Sequence, residues 1–168
     1  MQTERLKFRP YKTEDFAFFA SLWADPDVVQ FIGKGVTRSK EEARKSFDEW
    51  LIPGYRDGRG LYLIVLKESL VPIGHAGIVQ QMIDGKKEYE IGYWLAKEFW
   101  GNGYATEAAI HFKNYAIHEL GITRLICLIQ RNNKKSVSVA SRLGMTLQKE
   151  STFNTIPVDV YSWAESQK

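Results

Sequence analysis

The clearest chemical signal in the sequence runs from Glu90 to Ala108, where an apolar strand pattern passes through two glycines into a helical pattern. Gly101 and Gly103 leave little side-chain cover over the backbone, so the amides of residues 101–105 can converge on an anion. The positive end of the helix that follows adds to this attraction. The spacing predicts a cradle for phosphate groups, although a tight strand-to-helix turn would also explain an isolated Gly-x-Gly.

Two better-known phosphate-binding motifs do not fit this segment. A Walker loop ends in Gly-Lys-Ser/Thr, and a dinucleotide fingerprint needs a third glycine and a later acidic residue. The sequence Gly101-Asn-Gly103 has neither feature. A diphosphate bound without a metal ion fits better.

Glu90 is the candidate general base. It lies two residues before Gly92 in a largely apolar strand, where burial would raise its pKa and let it accept a proton from an amine. The alternative is a solvated carboxylate paired across the hairpin with Lys67 or Lys86. The single cysteine, Cys127, lies in an apolar run, which favours a buried and unreactive thiol over an acyl carrier.

The elements that must position these residues follow from the apolar patterning. Asp84-Gly85 between two strand patterns predicts a hairpin. A strand, a glycine loop, a helix and another strand predict a right-handed crossover between parallel neighbours. We expect an α+β fold with a mixed central sheet. Strands are predicted at residues 4–10, 61–67, 72–82, 88–95, 124–130, 146–153 and 158–163, and helices at 13–24, 39–50, 104–120 and 136–143.

Two of these helices begin with capping signals. Thr13 precedes two acidic residues, which the helix dipole favours in a first turn. Ser39-Lys-Glu-Glu42 matches a capping box, in which serine and glutamate each accept a hydrogen bond from the other's backbone amide. We therefore expect helices to start at these two residues.

Length and composition narrow the class of protein. A chain of 168 residues with 44% hydrophobic residues predicts one domain spanning residues 1–168. A formal net charge of +3 is too small to predict a nucleic-acid or membrane surface, and one cysteine excludes an internal disulfide. The apolar runs are shorter than the about 20 residues of a membrane span. Because the first residues also lack a signal-peptide pattern, we expect a cytoplasmic protein.

The glycine segment resembles a known family. Trp100-Gly-Asn-Gly103-Tyr-Ala105 is similar to the Gln/Arg-x-x-Gly-x-Gly/Ala pyrophosphate motif of the GNAT superfamily of acetyl-CoA-dependent N-acetyltransferases, with tryptophan replacing Gln/Arg. Residues 99–108 resemble the Rim-type branch, which includes the ribosomal-protein N-terminal acetyltransferases. Segments that match this branch also follow in its order at residues 6–10, 90–95, 133–136 and 143–145.

The resemblance implies a GNAT fold with a mixed, mostly antiparallel sheet of about seven strands, flanked by helices. Strands 4 and 5 would run parallel and splay apart, leaving a wedge for the pantetheine arm of acetyl-CoA. Asn133 would hold this arm and Ser136 would lie near the sulfur, although the two also fit as a loop or cap residue and a first-turn helix residue. The implied cofactor-binding residues are Trp94, Leu95, Trp100, Gly101, Asn102, Gly103, Tyr104, Ala105, Thr106, Asn133 and Ser136.

The resemblance also implies the chemistry. Many GNAT enzymes protonate the departing thiolate with a tyrosine, but Ala140 occupies that position here, so Ser136 or a bound water is the expected substitute. Glu90 would be the base, and no metal is expected. The predicted reaction transfers acetyl from acetyl-CoA to a primary amine, foremost a protein or peptide N-terminus. The alternatives are a small amine (polyamine, amino acid or antibiotic) and a non-catalytic acyl-CoA-binding regulatory module.

Acceptor contacts are expected from the first two helices and from residues 31–38 and 152–159, which border the wedge in the resembling fold. Four aromatic residues there would shape an acceptor pocket or belong to the core: Trp23, Phe31, Trp50 and Tyr55. Lys134 and Lys135 would contact the cofactor's 3′-phosphate or lie in a solvated loop. The predicted partners are acetyl-CoA and an amine, without nucleic acid or membrane, and the protein is expected to be a monomer or homodimer.

Overall fold

The computed structural model describes residues 1–165. The strands are β1 (Leu6–Arg9), β2 (Gly60–Leu66), β3 (Pro72–Ile83), β4 (Lys86–Leu95), β5 (Arg124–Ile129), β6 (Thr146–Phe153) and β7 (Ile156–Ala164). The α-helices are α1 (Phe16–Ala24), α2 (Pro26–Val29), α3 (Lys40–Ser46), α4 (Tyr104–His118) and α5 (Lys134–Arg142). Short 3-10 turns occur at Thr13–Asp15 and Lys97–Phe99, and a π-helical turn at Phe47–Leu51.

The strands form one sheet in the order β1-β2-β3-β4-β5-β7-β6. Every neighbouring pair is antiparallel except β4 and β5, which run parallel. This parallel pair is in register only at Glu90 and Ile126. The strands separate beyond that point, which confirms the α+β class and the predicted splay.

A tight hairpin fixes β4 against β3. Asp84 and Gly85 both have positive φ, at 48° and 74°, as a two-residue type I′ hairpin turn requires. The register then runs without a break from the Ile83–Lys86 pair to the Gly74–Leu95 pair. The predicted turn is confirmed, and it decides which side chains of β4 share a face with those of β3.

The two predicted helix caps have different outcomes. Ser39 and Glu42 form the expected capping box, with the Ser39 amide donating to the Glu42 carboxylate at 2.7 Å. Thr13 is wrong as a cap, because a 3-10 turn starts there with Lys12 at the cap position. The carboxylate of Asp15 accepts a hydrogen bond from the Lys12 amide at 2.8 Å, so Asp15 satisfies the start of this tighter turn.

The third helix also ends differently from the prediction. The chain leaves α3 after Ser46 and continues in the π-helical turn instead of staying α-helical to Trp50. In this wider turn Phe47 and Leu51 are buried, whereas about half of the Trp50 side chain is exposed. Burial of these two apolar residues explains why the wider turn is tolerated.

Helices cover both faces of the sheet. Helices α4 and α5 pack on the back face, around buried residues that include Ile91, Phe112 and Leu125. Helices α1 and α3 pack on the front face, around Phe19, Phe47 and Leu63. Side chains alternate along β4, so Glu90 and Trp94 lie on the front face and Ile91 and Tyr93 on the back. No helix within residues 1–165 is long and apolar enough to cross a bilayer.

Candidate active site

A cavity of about 1840 Å³ lies where β4 and β5 separate. Its walls come from the separating ends of both strands, from the loop before α4 and from the first turn of α5. The loop after α2 reaches across to this site, because the side-chain amide of Gln130 donates to the carbonyl of Gly33 at 2.7 Å. The wedge is therefore open at the sheet and bordered by a loop on the front face.

The loop before α4 presents free backbone donors to this cavity. Gly101 and Gly103 have φ of 79° and 78°, a conformation that other residues rarely adopt. Gly103 caps α4 without a side-chain hydrogen bond, and the Glu107 amide is the first to donate back to it, at 3.0 Å. Within residues 1–165, the amides of residues 101–106 donate no hydrogen bond to protein atoms. They form the donor-lined cradle that an anion needs at a helix start.

Nearly all of the sequence-predicted cofactor residues line the cavity. Asn102 does not: its side-chain nitrogen donates to the carbonyls of Phe99 at 3.2 Å and Trp100 at 3.1 Å. Asn102 therefore stabilises the loop through its own side chain. The residues that do line the cavity are Trp94, Leu95, Trp100, Gly101, Gly103, Tyr104, Ala105, Thr106, Asn133 and Ser136.

The first turn of α5 forms the opposite wall. Asn133 is the N-cap of α5, and its side-chain oxygen accepts a hydrogen bond from the Ser136 amide at 3.2 Å. The alternative prediction, that Asn133 is a cap residue, is thus confirmed. Asn133 also lines the cavity. Lys134 and Lys135 begin this helix and also line the cavity, with the Lys135 ammonium 4.2 Å from the centre of the Trp100 ring. Both lysines are exposed but helical, so the alternative of a solvated loop is right about solvation and wrong about the loop.

Glu90 lies on the front face at the point where β4 and β5 part, and it faces the cavity. Burial raises its pKa to about 7, opposed by hydrogen bonds from the Gln81 side chain, at 2.8 Å, and from the Leu128 amide. No ion pair joins it to Lys67 or Lys86 in the part of the chain described. A carboxylate with this pKa is half ionised near neutral pH and can take up a proton.

Gln81 is a site residue that the sequence prediction missed. In the hairpin register it pairs with Glu88, and Glu90 is its diagonal neighbour on the same face. The signal was available, because the Asp84-Gly85 turn sets this register. Its amide orients the Glu90 carboxylate and favours the ionised form, which lowers the pKa.

Tyr93 is a second missed residue. It lies on the back face of β4, lines the cavity, and its hydroxyl donates to the carbonyl of Ser136 at 3.4 Å. Burial raises the pKa of this phenol, so it stays protonated. Ala140 is fully buried in the core and offers no polar group. Tyr93 and Ser136 thus place two hydroxyl-bearing side chains at the wall of the cavity. The alternation of Tyr93 with Glu90 along β4 was the available signal for Tyr93.

Cys127 is a buried thiol, as predicted. It is 2% exposed, and its sulfur donates a weak hydrogen bond to the Ile91 carbonyl at 3.6 Å. Burial raises the pKa of this thiol well above its ordinary value, with a smaller contribution from Glu90. The reactive thiolate is therefore strongly disfavoured.

Of the four aromatic residues considered for an acceptor pocket, Phe31 alone lines the cavity. Trp23 is buried, with its ring packed edge-on against Trp94 at 4.7 Å between centroids. The Tyr55 hydroxyl donates to the Leu61 carbonyl at 2.6 Å, which is a structural role. Trp50 borders a separate groove, and residues 152–159 contribute nothing to the main cavity wall.

The site combines a loop of free backbone amides, a carboxylate and a splayed parallel strand pair, an arrangement that fits an acyl-CoA-dependent transferase. A family model described as an acetyltransferase (GNAT) domain matches residues 5–146. The chain belongs to the GNAT family and is an acetyl-CoA-dependent N-acetyltransferase. The resemblance stated from the glycine motif is confirmed.

Relatives and solved structures match almost the whole chain. The uncharacterised protein YkkB of Bacillus subtilis is 33% identical over 164 residues, covering 95% of this chain and 92% of YkkB. The crystal structure of an acetyltransferase from Agrobacterium tumefaciens has a TM-score of 0.81 at 29% identity, covering 98% of this chain and 94% of that one. The ribosomal L7/L12 alpha-N-protein acetyltransferase RimL, solved with coenzyme A, has a TM-score of 0.77 at 21% identity, covering 96% and 95%. The fold of a Rim-type enzyme is thus shared.

Proposed function

We propose that this enzyme acetylates the N-terminal amine of a protein or peptide, with Glu90 as the general base and acetyl-CoA held by the cradle of residues 101–106. The observation that carries the proposal is a carboxylate with a pKa of about 7 that lines the cavity at the point where β4 and β5 part. A base is most effective when its pKa lies near the working pH.

The cavity wall supports this placement of the cofactor. The free amides of residues 101–106 suit its diphosphate, and the Lys134 and Lys135 ammonium groups suit a further phosphate near α5. The separated edges of β4 and β5 leave backbone groups for the amides of the pantetheine arm. Bound acetyl-CoA supplies the thioester carbonyl that the amine attacks.

The proposed proton transfers use residues on both faces of β4. Glu90 accepts the proton that the amine nitrogen loses as it bonds to the carbonyl carbon. The bond from that carbon to sulfur breaks, and the Ser136 hydroxyl donates a proton to the sulfur and regains one from water. The Tyr93 hydroxyl, bonded to the Ser136 carbonyl, is the second proton donor within reach of this end of the wedge.

The pKa of Glu90 also favours one class of acceptor. A protein N-terminal amine has a pKa of about 7.7–8.0, whereas a lysine-type amine has one of about 10.4. A base with a pKa of about 7 takes the first proton at a cost of about 5- to 10-fold in equilibrium and the second at a cost of about 2500-fold. RimL, which shares the fold, is named for an alpha-N-protein acceptor. The N-terminal amine is therefore the acceptor we propose ahead of polyamines.

The test is release of CoA thiol with a matched panel of amines at pH 7.5. A peptide with a free N-terminus is compared with the same peptide blocked at its N-terminus and carrying one lysine, and with spermidine. We expect thiol release with the first peptide and little with the others. Faster release with spermidine would contradict the proposed acceptor, and tight CoA binding without release across the panel would favour a regulatory module. A cytoplasmic location and a monomeric or homodimeric state remain predictions.

A further inference from the structure

Arg5, the residue before β1, extends its side chain to the cofactor cradle from a distant part of the sequence. Its Nε donates to the Glu107 carboxylate at 2.7 Å, and its Nη1 donates to the carbonyl of Asn102 at 3.0 Å. The guanidinium also stacks over the Tyr104 ring, 4.5 Å from its centre. Three contacts thus fix one arginine against both the glycine loop and the first turn of α4.

The remaining nitrogen of this guanidinium points to the glycine that caps α4. Nη2 lies 3.6 Å from the position that a Cβ atom on Gly103 would occupy. Within residues 1–165, Nη2 donates no hydrogen bond to the protein, and both Arg5 and Gly103 line the cavity. A cationic donor therefore faces the same space as the free amides of the cradle.

The motif position that would offer a polar side chain to the cradle holds a different type of residue in this chain. Position 100 is a tryptophan where the GNAT motif has Gln or Arg. The Trp100 indole donates to the Leu95 carbonyl at 2.9 Å, and its ring packs against the core. Trp100 thus joins the cradle loop to β4 and leaves the anion without a polar contact from this position.

Without a polar side chain at position 100, the negative charge of Glu107 would disfavour an anion in the cradle. Its carboxylate lines the cavity within the first turn of α4, where it would repel a diphosphate. Arg5 neutralises that charge through the ion pair at 2.7 Å and brings its own N–H groups to the cradle. Guanidinium groups bind phosphate oxygens through such charge-assisted hydrogen bonds.

We propose that Arg5 is a cofactor-binding residue that contacts the diphosphate of CoA through Nη2 and takes over the role of the motif's missing polar side chain. This inference rests on the proposed position of the diphosphate at residues 101–106. It is independent of the acceptor and of the proton transfers.

The test measures binding by calorimetry for the wild-type protein, Arg5→Met, Arg5→Lys, Glu107→Gln and the double variant Arg5→Met/Glu107→Gln. Each is titrated with CoA, with 3′-dephospho-CoA, which keeps the diphosphate, and with pantetheine, which lacks it. Thermal unfolding of each variant checks the fold. The Arg5 backbone amide donates to the Glu107 carboxylate at 3.0 Å, and the Arg5 carbonyl accepts from the Lys67 amide at 2.9 Å. The Arg5 side chain can therefore be changed without removing those two contacts.

We expect Arg5→Met to weaken CoA and 3′-dephospho-CoA by the same factor, about tenfold or more, and to leave pantetheine unchanged. Arg5→Lys should recover part of the loss, because it keeps the charge without the planar fork. The double variant should bind CoA more weakly than Glu107→Gln alone. That difference separates a direct contact from mere neutralisation of Glu107.

Three results would overturn the inference. Equal CoA binding by the double variant and Glu107→Gln would show that Arg5 only neutralises the carboxylate. A loss seen with CoA but not with 3′-dephospho-CoA would place the contact on the 3′-phosphate, and equal losses with all three ligands would indicate a loosened fold. If the wild-type protein itself does not bind CoA, the proposed function fails instead.

Discussion

Replacing Glu90 by glutamine removes the charge and keeps the size and hydrogen-bonding shape of the side chain. In the folded protein burial holds the pKa of Glu90 at about 7, against an ordinary value of 4.5. Between these two pH values the folded state keeps a proton that the unfolded state releases. The stability of the wild-type protein therefore falls as pH rises from about 4.5 to 7, and Glu90→Gln lacks this loss.

The size of the effect follows from the two pKa values. At about 1.4 kcal/mol for each tenfold change in proton affinity, the rise from 4.5 to about 7 corresponds to about 3 kcal/mol. In a domain of this size that is about 6–12 °C in melting temperature. We expect Glu90→Gln to gain this much relative to the wild type between pH 4.5 and pH 8, measured by scanning calorimetry at a series of pH values.

Glu88→Gln is the matched control, because Glu88 lies on the same face of β4 and forms a two-point ion pair with Arg124 at 2.9 Å. Loss of the Glu88 charge should not stabilise the protein at pH 8. If the melting-temperature difference between Glu90→Gln and the wild type is the same at pH 4.5 and pH 8, the reasoning about Glu90 is refuted.

Other predictions concern catalysis and the cofactor cradle. Glu90→Gln should lower kcat/KM about 10²–10⁴-fold and abolish the rise in rate centred near pH 7; an unchanged pH profile would exclude it as the base. Gly103→Val should weaken CoA binding and cost about 1–3 kcal/mol of stability. Gly121→Val, also at positive φ but outside the cavity wall, should cost a similar amount of stability without affecting CoA binding. Ser136→Ala should lower kcat about 10²-fold. If only Tyr93→Phe does so, the phenol is the proton donor.

The sequence alone determined most of the architecture, because its signals are local. Strand and helix periodicity, the Asp84-Gly85 turn and the Ser39 capping box depend on residues close together in the chain. The glycine loop was recognisable for the same reason, since both positive-φ glycines and the helix they precede lie within a few residues. Glu90 was identified from its place in an apolar strand.

The tertiary structure decided everything that depends on contacts between distant segments. Arg5 and Glu107 are about a hundred positions apart and meet because β1 begins beside the start of α4. Tyr93 meets Ser136 only when α5 packs on the back face, and the shift in the pKa of Glu90 depends on burial between two strands. Local patterns specify elements, whereas burial and charge pairing across the sheet exist only after those elements pack. The sequence therefore indicated the direction of the Glu90 pKa shift, but not its size or the partners of the site residues.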